Sequence, residues 1–435
     1  MTQARADARR DAPQPGRPMS LIAYRAAAGL AAPLAGQLLK ARARRGKEDP
    51  ARIAERLGHA SAARPSGPLV WMHAVSVGES ISLLPLVAAV AAERPDLAIL
   101  VTSGTRASAE VLARRLLARA IHQYGPVDTP GAVGRFLAHW RPATGIIVES
   151  ELWPNLILGA RRAGARLALV SARMTERSAR AWSAQPSAVR AMLRSFDLVL
   201  PQDPATRGRL ESFGARIDGQ LNLKRVGDPL PFDAEELARL QAMIGARRVV
   251  VAASTHAPEE PLVARATAGL GDDVLTLIAP RHPERADEIA QALAAWPLAR
   301  RSSGQPITPA TRIYLADTLG EMGLWLRLAD VAVVGNGFPR HGEGHNPLEP
   351  ARLGVGAISG PHVVNFEDIY AEMAAAGAAV IADDEAALAD MLAGLFADRG
   401  RLVAMGEAAL AFAQAQGDRL SAALGLIRPL LPAAA

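Results

Sequence analysis

With 435 residues, half of them hydrophobic, 21% charged and 4% aromatic, the chain has the length for two or three domains, and neither intrinsic disorder nor an aromatic nucleic-acid platform fits it. It contains no cysteine, which excludes a disulfide scaffold, a cysteine-ligated metal centre and a thiol nucleophile. The formal charge of +6 is local: residues 1–64 hold 13 Lys or Arg against 5 Asp or Glu, residues 65–435 hold 36 against 38, and no nucleic-acid partner is expected.

Residues 1–20 are polar and proline-rich and read as a disordered arm. Leu21 to Leu39 form a mainly apolar, alanine-rich stretch, interrupted by Arg25 and followed by Lys40, Arg42, Arg44, Arg45 and Lys47. As a helix it would reach about 28 Å at roughly 1.5 Å per residue, close to a bilayer core, but Gly29, Pro33 and the alanines contribute little insertion energy. Three readings stand: an interfacial anchor with a polybasic flank, a membrane span, or a first helix packed on the body. A secretory signal is not expected, because the cationic block directly after the apolar run opposes translocation.

From Pro68 onward, short apolar runs alternate with helical patterns. Strands are predicted at Leu69–Val75, Leu97–Ser103, Gly145–Glu149, Arg166–Ser171 and Asp197–Pro201, with amphipathic helices such as Ser80–Arg94 and Thr105–Arg119 between them. Ile217 to Pro231 has no clear period and suits an interdomain connection. The alternation then resumes with strands at Arg247–Ala252, Val274–Ala279, Arg312–Ala316, Asp330–Val334 and Gly356–Ser359. The expected organisation is a membrane-associating segment at 1–47, an α/β domain at 48–216, a linker at 217–245 and a second α/β domain at 246–435 whose last helices cross back to the first. No lysine P-loop, no Gly-x-Gly-x-x-Gly turn and no repeat of 20–50 residues is present.

In open parallel sheets ligands bind beyond the carboxyl ends of the strands, so the loops there are the places to search. The first, Ser76-Val77-Gly78-Glu79, offers Gly78 for a tight turn and Glu79 either as a carboxylate favoured by a helix N-terminus or as a general base. The next, from Glu149 through Glu151 to Trp153, places two carboxylates at a strand end. In the second half, Ser254-Thr255-His256 and Pro280-Arg281-His282-Pro283-Glu284-Arg285 supply hydroxyls, helix-start N–H groups and an arginine, which suit a phosphate. Gly320-Glu321-Met322 opens another helix. The segment Gly335 to Pro350 is densest, with Gly337, Gly342 and Gly344 permitting close backbone approach to an anion and Glu349 one turn after Asn346, placed for ribose hydroxyls. His341, Glu343 and His345 are an alternative metal set, disfavoured by their glycine-rich loop.

Taken in order, Ser-Val-Gly-Glu (76–79), Glu-Leu-Trp-Pro (151–154), Ser-Ala-Arg (171–173), Ser-Thr-His (254–256), Pro-Arg-His-Pro-Glu-Arg (280–285), Asp-Thr-Leu-Gly-Glu-Met (317–322), Gly-His-Asn-Pro-Leu-Glu (344–349) and Gly-Pro-His-Val-Val-Asn-Phe-Glu-Asp (360–368) resemble the 3-deoxy-D-manno-octulosonic acid (Kdo) transferases of lipopolysaccharide synthesis. The resemblance spans about Pro68 to Tyr370. It implies a GT-B glycosyltransferase of two Rossmann-like domains facing a central cleft, at the cytoplasmic face of the inner membrane. CMP-Kdo would be the donor and a lipid A precursor the acceptor, with transfer inverting and without cofactor or metal.

On matching positions, the resemblance implies Glu79 as the base, with Ser76, Gly78, Glu149, Glu151 and Arg173 on the acceptor side. Ser254, Thr255, His256, Arg281, His282, Gly320, Glu321, Met322, Gly344, Asn346 and Glu349 would bind the donor, and Asn222 and Lys224 would lie at the interdomain connection. Two segments depart from the family pattern. Leu221-Asn222-Leu223-Lys224-Arg225-Val226 keeps Asn and Lys but lacks the family's following Phe-Asp, and the residues from Gly337 to Glu343 replace a paired-glycine loop. The competing readings are a GT-B enzyme using another nucleotide sugar, a sugar-nucleotide epimerase of the same architecture, and a two-lobed solute-binding protein.

Overall fold

The computed structural model describes residues 18–150 and 152–433. The chain divides into two compact units, Met1–Gly227 with Gly417–Ala435, and Asp228–Gln416.

The first unit is built on a six-stranded, all-parallel sheet of β1 (Leu69–His73), β2 (Ala98–Ser103), β3 (Ala120–Tyr124), β4 (Thr144–Val148), β5 (Arg166–Ala172) and β6 (Leu198–Pro201) in the order 3-2-1-4-5-6. This is the doubly wound order, and its reversal falls between β1 and β4. Alternation along β1 sends Leu69 and Trp71 into one apolar layer and Val70 and Met72 into the other, so both faces are covered. A side chain at Gly145 of β4 would put Cβ 2.9 Å from the Trp71 ring, so that residue's smallness admits the indole.

Helix α1 (Met19–Arg44) begins inside the segment expected to be a disordered arm; residues 1–17 of that arm lie outside the described residues. Among the described residues no helix is long and apolar enough to cross a membrane, which removes the spanning reading of Leu21–Leu39. One face of α1 packs on helices α3 (Pro130–Trp140) and α4 (Pro154–Arg162), described below, and buries Leu21 and Leu39. The opposite face leaves Leu30 84% and both Leu34 and Leu38 63% exposed. Helix α2 (Val77–Glu93) follows β1, with Ser76 as its N-cap. Helices α3 and α4 follow β3 and β4 and start with proline at their first turn, where a missing N–H costs nothing.

The second unit holds a seven-stranded, all-parallel sheet of β7 (Arg248–Thr255), β8 (Val274–Pro280), β9 (Leu298–Arg300), β10 (Ile313–Leu315), β11 (Val331–Val334), β12 (Gly356–Ser359) and β13 (Ala379–Ile381), in the order 13-12-11-7-8-10-9. Its first strand lies between β8 and β11, with apolar layers on both faces: Val249, Val251 and Ala253 on one side, Val250 and Ala252 on the other. Helix α5 (Glu259–Ala268) follows β7, and α6 (Met322–Leu328) follows β10. Residues 217–245 are not a featureless connection: they include a 3-10 turn, Leu223–Arg225, in the first unit and a helix, Ala234–Ile244, in the second. The last long helix, α7 (Arg399–Ile427), passes the boundary at Gly417, after which the chain belongs to the first unit.

Candidate functional site

In the first unit, the reversal of strand order brings the loop after β1 beside the loop after β4. Ser76 caps α2 by accepting from the Glu79 N–H at 3.3 Å, and its hydroxyl donates back to Glu79 Oε1 at 2.9 Å. Glu79 Oε2 accepts the Val75 N–H at 2.7 Å. Among the described residues each carboxylate oxygen therefore keeps an unused acceptor position. Gly78 was expected to make a tight turn, but it lies within the first turn of α2 with an ordinary φ, and a Cβ there would meet nothing within 4 Å. Its effect is to leave open space beside Glu79.

The loop after β4 turns through Glu149, which adopts φ 57° and is buried. Its carboxylate pairs with Lys224 Nζ at 2.7 Å, and Asn222 Oδ1 accepts the Lys224 N–H, capping the 3-10 turn. Asn222 and Lys224 thus belong to the first unit and brace the loop after β4. Arg173 is exposed, with its carbonyl held by the Ser150 hydroxyl, and Glu151 lies outside the described residues. Asp128, which the sequence pattern did not single out, accepts the N–H groups of Asn155 and Leu156 at the start of α4 and the Tyr24 hydroxyl of α1. Burial pushes its carboxyl above the usual range, against those hydrogen bonds.

In the second unit, the end of β7 carries Ser254 at φ 58° and buried Thr255, and His256 opens the loop after it. His256 Nε2 and His345 Nε2 share a hydrogen bond of 3.0 Å, with the rings stacked at 5.1 Å. Burial, followed by the charges of His256, Arg281 and His282, lowers His345 to about 4; burial, His282 and Arg281 also lower His256. His282 lies edge-on to His256 at 5.5 Å, and the Arg281 N–H donates to the Thr255 carbonyl. Four of the expected donor-side residues, Thr255, His256, Arg281 and His282, with His345 added, are thus brought together.

Glu349 is pushed above the usual carboxylate range by burial, opposed by Arg352 and Arg281, and among the described residues it accepts no hydrogen bond. Asn346 turns inward to accept the Leu348 N–H. At the β10 end, Glu321 accepts from Thr318 and from Arg301, at 2.6 Å. Burial would raise its pKa, but Arg301 and Thr318 outweigh it and the group stays below the usual range. Gly320 has φ 85° and open space beside it, and Met322 starts α6 half-buried against the core.

Two expectations for the segment after β11 change. A Cβ at Gly337 would come 2.7 Å from the Gly360 nitrogen, one at Gly342 2.2 Å from the Asn336 carbonyl, and one at Gly344 2.9 Å from the Val363 Cα. These glycines admit the protein's own neighbouring backbone and do not leave room for an anion. The alternative metal set also comes apart: Glu343 is bonded to Asn365 and His345 to His256, and among the described residues no three metal-ligating side chains converge. The sequence reading missed Glu259 and Glu260, each 1% exposed at the start of α5, although the run Ser-Thr-His-x-x-Glu-Glu marks them.

Comparison with known proteins agrees with this arrangement. The family model for 3-deoxy-D-manno-octulosonic-acid transferase (kdotransferase) matches residues 51–225. The 3-deoxy-D-manno-octulosonic acid transferase of Bordetella pertussis is 39% identical over 384 residues, covering 83% of this chain and 87% of the relative. That of Haemophilus influenzae is 32% identical over 333 residues, covering 73% and 77%. A glycosyltransferase structure from Rickettsia africae superposes with a TM-score of 0.54 at 10% identity, over 84% of this chain and 99% of that one, and so shares the fold. The two parallel-sheet units are those of a GT-B glycosyltransferase, and the chain belongs to the 3-deoxy-D-manno-octulosonic acid transferase family.

Proposed function

We propose that the protein transfers Kdo from CMP-Kdo to a hydroxyl of a lipid A precursor, with inversion at the anomeric carbon and Glu79 as the general base. The observation that carries this reading is the Glu79 carboxylate itself. It stands at the strand-order reversal of the first unit, is fixed by Ser76 and Val75, has an unused acceptor position on each oxygen and lies next to the open surface at Gly78. A fixed acceptor within reach of a substrate hydroxyl is what base catalysis needs.

In the reaction, the acceptor oxygen attacks the anomeric carbon of Kdo on the face opposite the phosphate, and its proton passes to Glu79. The bond from that carbon to the phosphate oxygen breaks, and CMP leaves with the electron pair. Arg281 is suited to stabilise the phosphate charge. The Glu349 carboxylate, which accepts no hydrogen bond among the described residues, is suited to the ribose hydroxyls. No step uses a metal, so activity is expected to persist in excess chelator.

Membrane association belongs to the same proposal. The exposed face of α1 carries Met19, Ile22, Leu30, Leu34 and Leu38, and is followed by exposed Lys40, Arg44, Arg45 and Lys47. This pattern suits a helix lying on an anionic surface at the cytoplasmic face of the inner membrane. Changing Leu30, Leu34 and Leu38 to Ser should release the protein from anionic vesicles in a sedimentation assay, and undiminished binding would reject the assignment. For the reaction, the test is the mass of the product formed by purified protein from CMP-Kdo and a tetraacyl lipid A precursor. One or two added Kdo units are expected, and an unchanged acceptor mass would reject the reading.

A further inference from the structure

The donor-side residues of the second unit sit on loops, and these loops are held by something other than sheet or helix. Strand β7 is the first of its sheet and lies between β8 and β11, so the reversal of strand order falls between β7 and β11. Two loops meet there, the one after β7 with His256 and the one after β11 that leads to His345, Asn346 and Glu349. A non-glycine residue in the left-handed region stands at the entry to each, Ser254 at φ 58° at the end of β7 and Asn336 at φ 62° after β11. A Cβ at Gly335 would lie 2.5 Å from the Ser254 carbonyl, so the two backbones press against each other.

The Glu259 carboxylate lies under this junction. Its Oε2 accepts the N–H groups of His256 at 2.8 Å and Asn336 at 2.7 Å; its Oε1 accepts those of Gly337 at 3.0 Å and Phe338 at 3.1 Å. Glu260 reaches a different pair: its Oε1 accepts from the Thr255 hydroxyl at 3.1 Å and from Arg285 Nη1 at 3.0 Å. Arg285 belongs to the loop after β8, the same loop that presents Arg281. A carboxylate at a helix start ordinarily serves the N–H groups of its own first turn. Three of the four donors to Glu259 come instead from a loop 77 to 79 residues away. Burying a carboxylate is costly unless its acceptor positions are filled, and here they are filled by the backbone that carries the donor-side groups.

We propose that Glu259 and Glu260 are positioning residues of the donor site. Glu259 locks the loop after β7 to the loop after β11, and Glu260 locks the end of β7 to the arginine-bearing loop after β8. His256, Arg281 and the Asn346 to Glu349 segment are thereby set in place before the nucleotide arrives, which lowers the ordering cost of binding it. The inference rests on the assignment of CMP-Kdo as donor.

Replacement of Glu259 by Gln is the direct test. Whichever way the amide turns, its NH2 faces two backbone N–H groups, so one side of the clasp is lost. The expected result is a rise of about tenfold or more in donor KM and in the Kd for CMP, with the acceptor KM unchanged and kcat at saturating donor within about threefold of wild type. Glu259→Asp keeps the charge but is one methylene short, and should fall between the two. Glu260→Gln keeps an acceptor oxygen and should raise the CMP Kd less.

Calorimetric titration of CMP separates the outcomes. Wild-type protein that fails to bind CMP overturns the donor assignment and this inference with it. Wild type that binds CMP while Glu259→Gln binds equally well overturns the clasp alone. A parallel loss in kcat, donor KM and acceptor KM would mark general damage and also overturn it. Should Glu259→Gln not fold, Glu260→Gln decides: weakened CMP binding supports the clasp, and wild-type affinity overturns it.

Discussion

Glu79 and Glu259 occupy corresponding places in the two units: each is a carboxylate in the first turn of the helix that follows the first strand of a parallel sheet. Glu79 takes its partners from within four residues, stays partly exposed and has open space at Gly78. Glu259 is sealed, and three of its four partners come from a distant loop. A carboxylate held locally and left reachable is available for proton transfer. One consumed by the backbone around it can only fix geometry.

The largest test of this contrast is Glu79→Gln. Loss of the general base should reduce transfer by roughly 10²- to 10⁴-fold, measured as initial rate at saturating substrates. Substantial residual turnover would return Glu79 to the role of a capping residue.

Next in size is Gly337→Ala. Its Cβ would stand 2.3 Å from Ser359 Oγ and 2.7 Å from the Gly360 nitrogen, so the loop after β11 must move. A loss of roughly 1–3 kcal/mol in urea unfolding is expected, together with weaker CMP binding. Wild-type stability would show that the loop accommodates the extra methyl group without cost.

Acid response gives a third comparison. His73 in β1 is buried, with Nδ1 against Thr102 Oγ1, and burial, then the charge of Arg56, holds it down to about 4. Between about pH 6.5 and 4 the unfolded chain takes up a proton that the folded one refuses, so stability is full above that window and is lost as pH falls through it. About 2 kcal/mol should disappear between pH 7 and 5 through His73, and His73→Gln should lessen the dependence by that amount, the shares of His122 and His345 remaining. An unchanged pH profile in that variant would remove His73 as the cause.

The smallest effect is on the opposite kind of glycine. Gly78→Ala meets no neighbour and sits in a helix, so stability should hold or rise by up to about 1 kcal/mol. A rise in acceptor KM without a change in donor KM would place the acceptor against this surface. Unchanged kinetics would leave the open space without a role.

Much of the fold was legible because fully buried parallel strands are continuous apolar runs: Leu69–His73 and Val274–Pro280 fall within a residue or two of the spans predicted. The strand Ala120–Tyr124 was missed because it lies at a sheet edge and includes His122 and Gln123. Short Leu298–Arg300 and Ala379–Ile381 are also edge strands. The Glu79 site was readable since Ser76 and Glu79 form a local Ser-x-x-Glu pattern. The clasp was not, because a carboxylate bonded across nearly eighty residues leaves no local signature. The glycines after β11 misled for a related reason: sequence shows that backbone approaches closely there, and only structure shows that the approaching group is the protein itself.

Under the proposed mechanism, Glu79 removes the acceptor proton while the second unit binds the donor independently of it. Single-turnover transfer and CMP affinity, measured on the same preparation of Glu79→Gln protein, test this most directly. Wild-type affinity for CMP and loss of transfer are the results expected of this mechanism. Transfer at near the wild-type rate, or loss of CMP binding along with it, would contradict it.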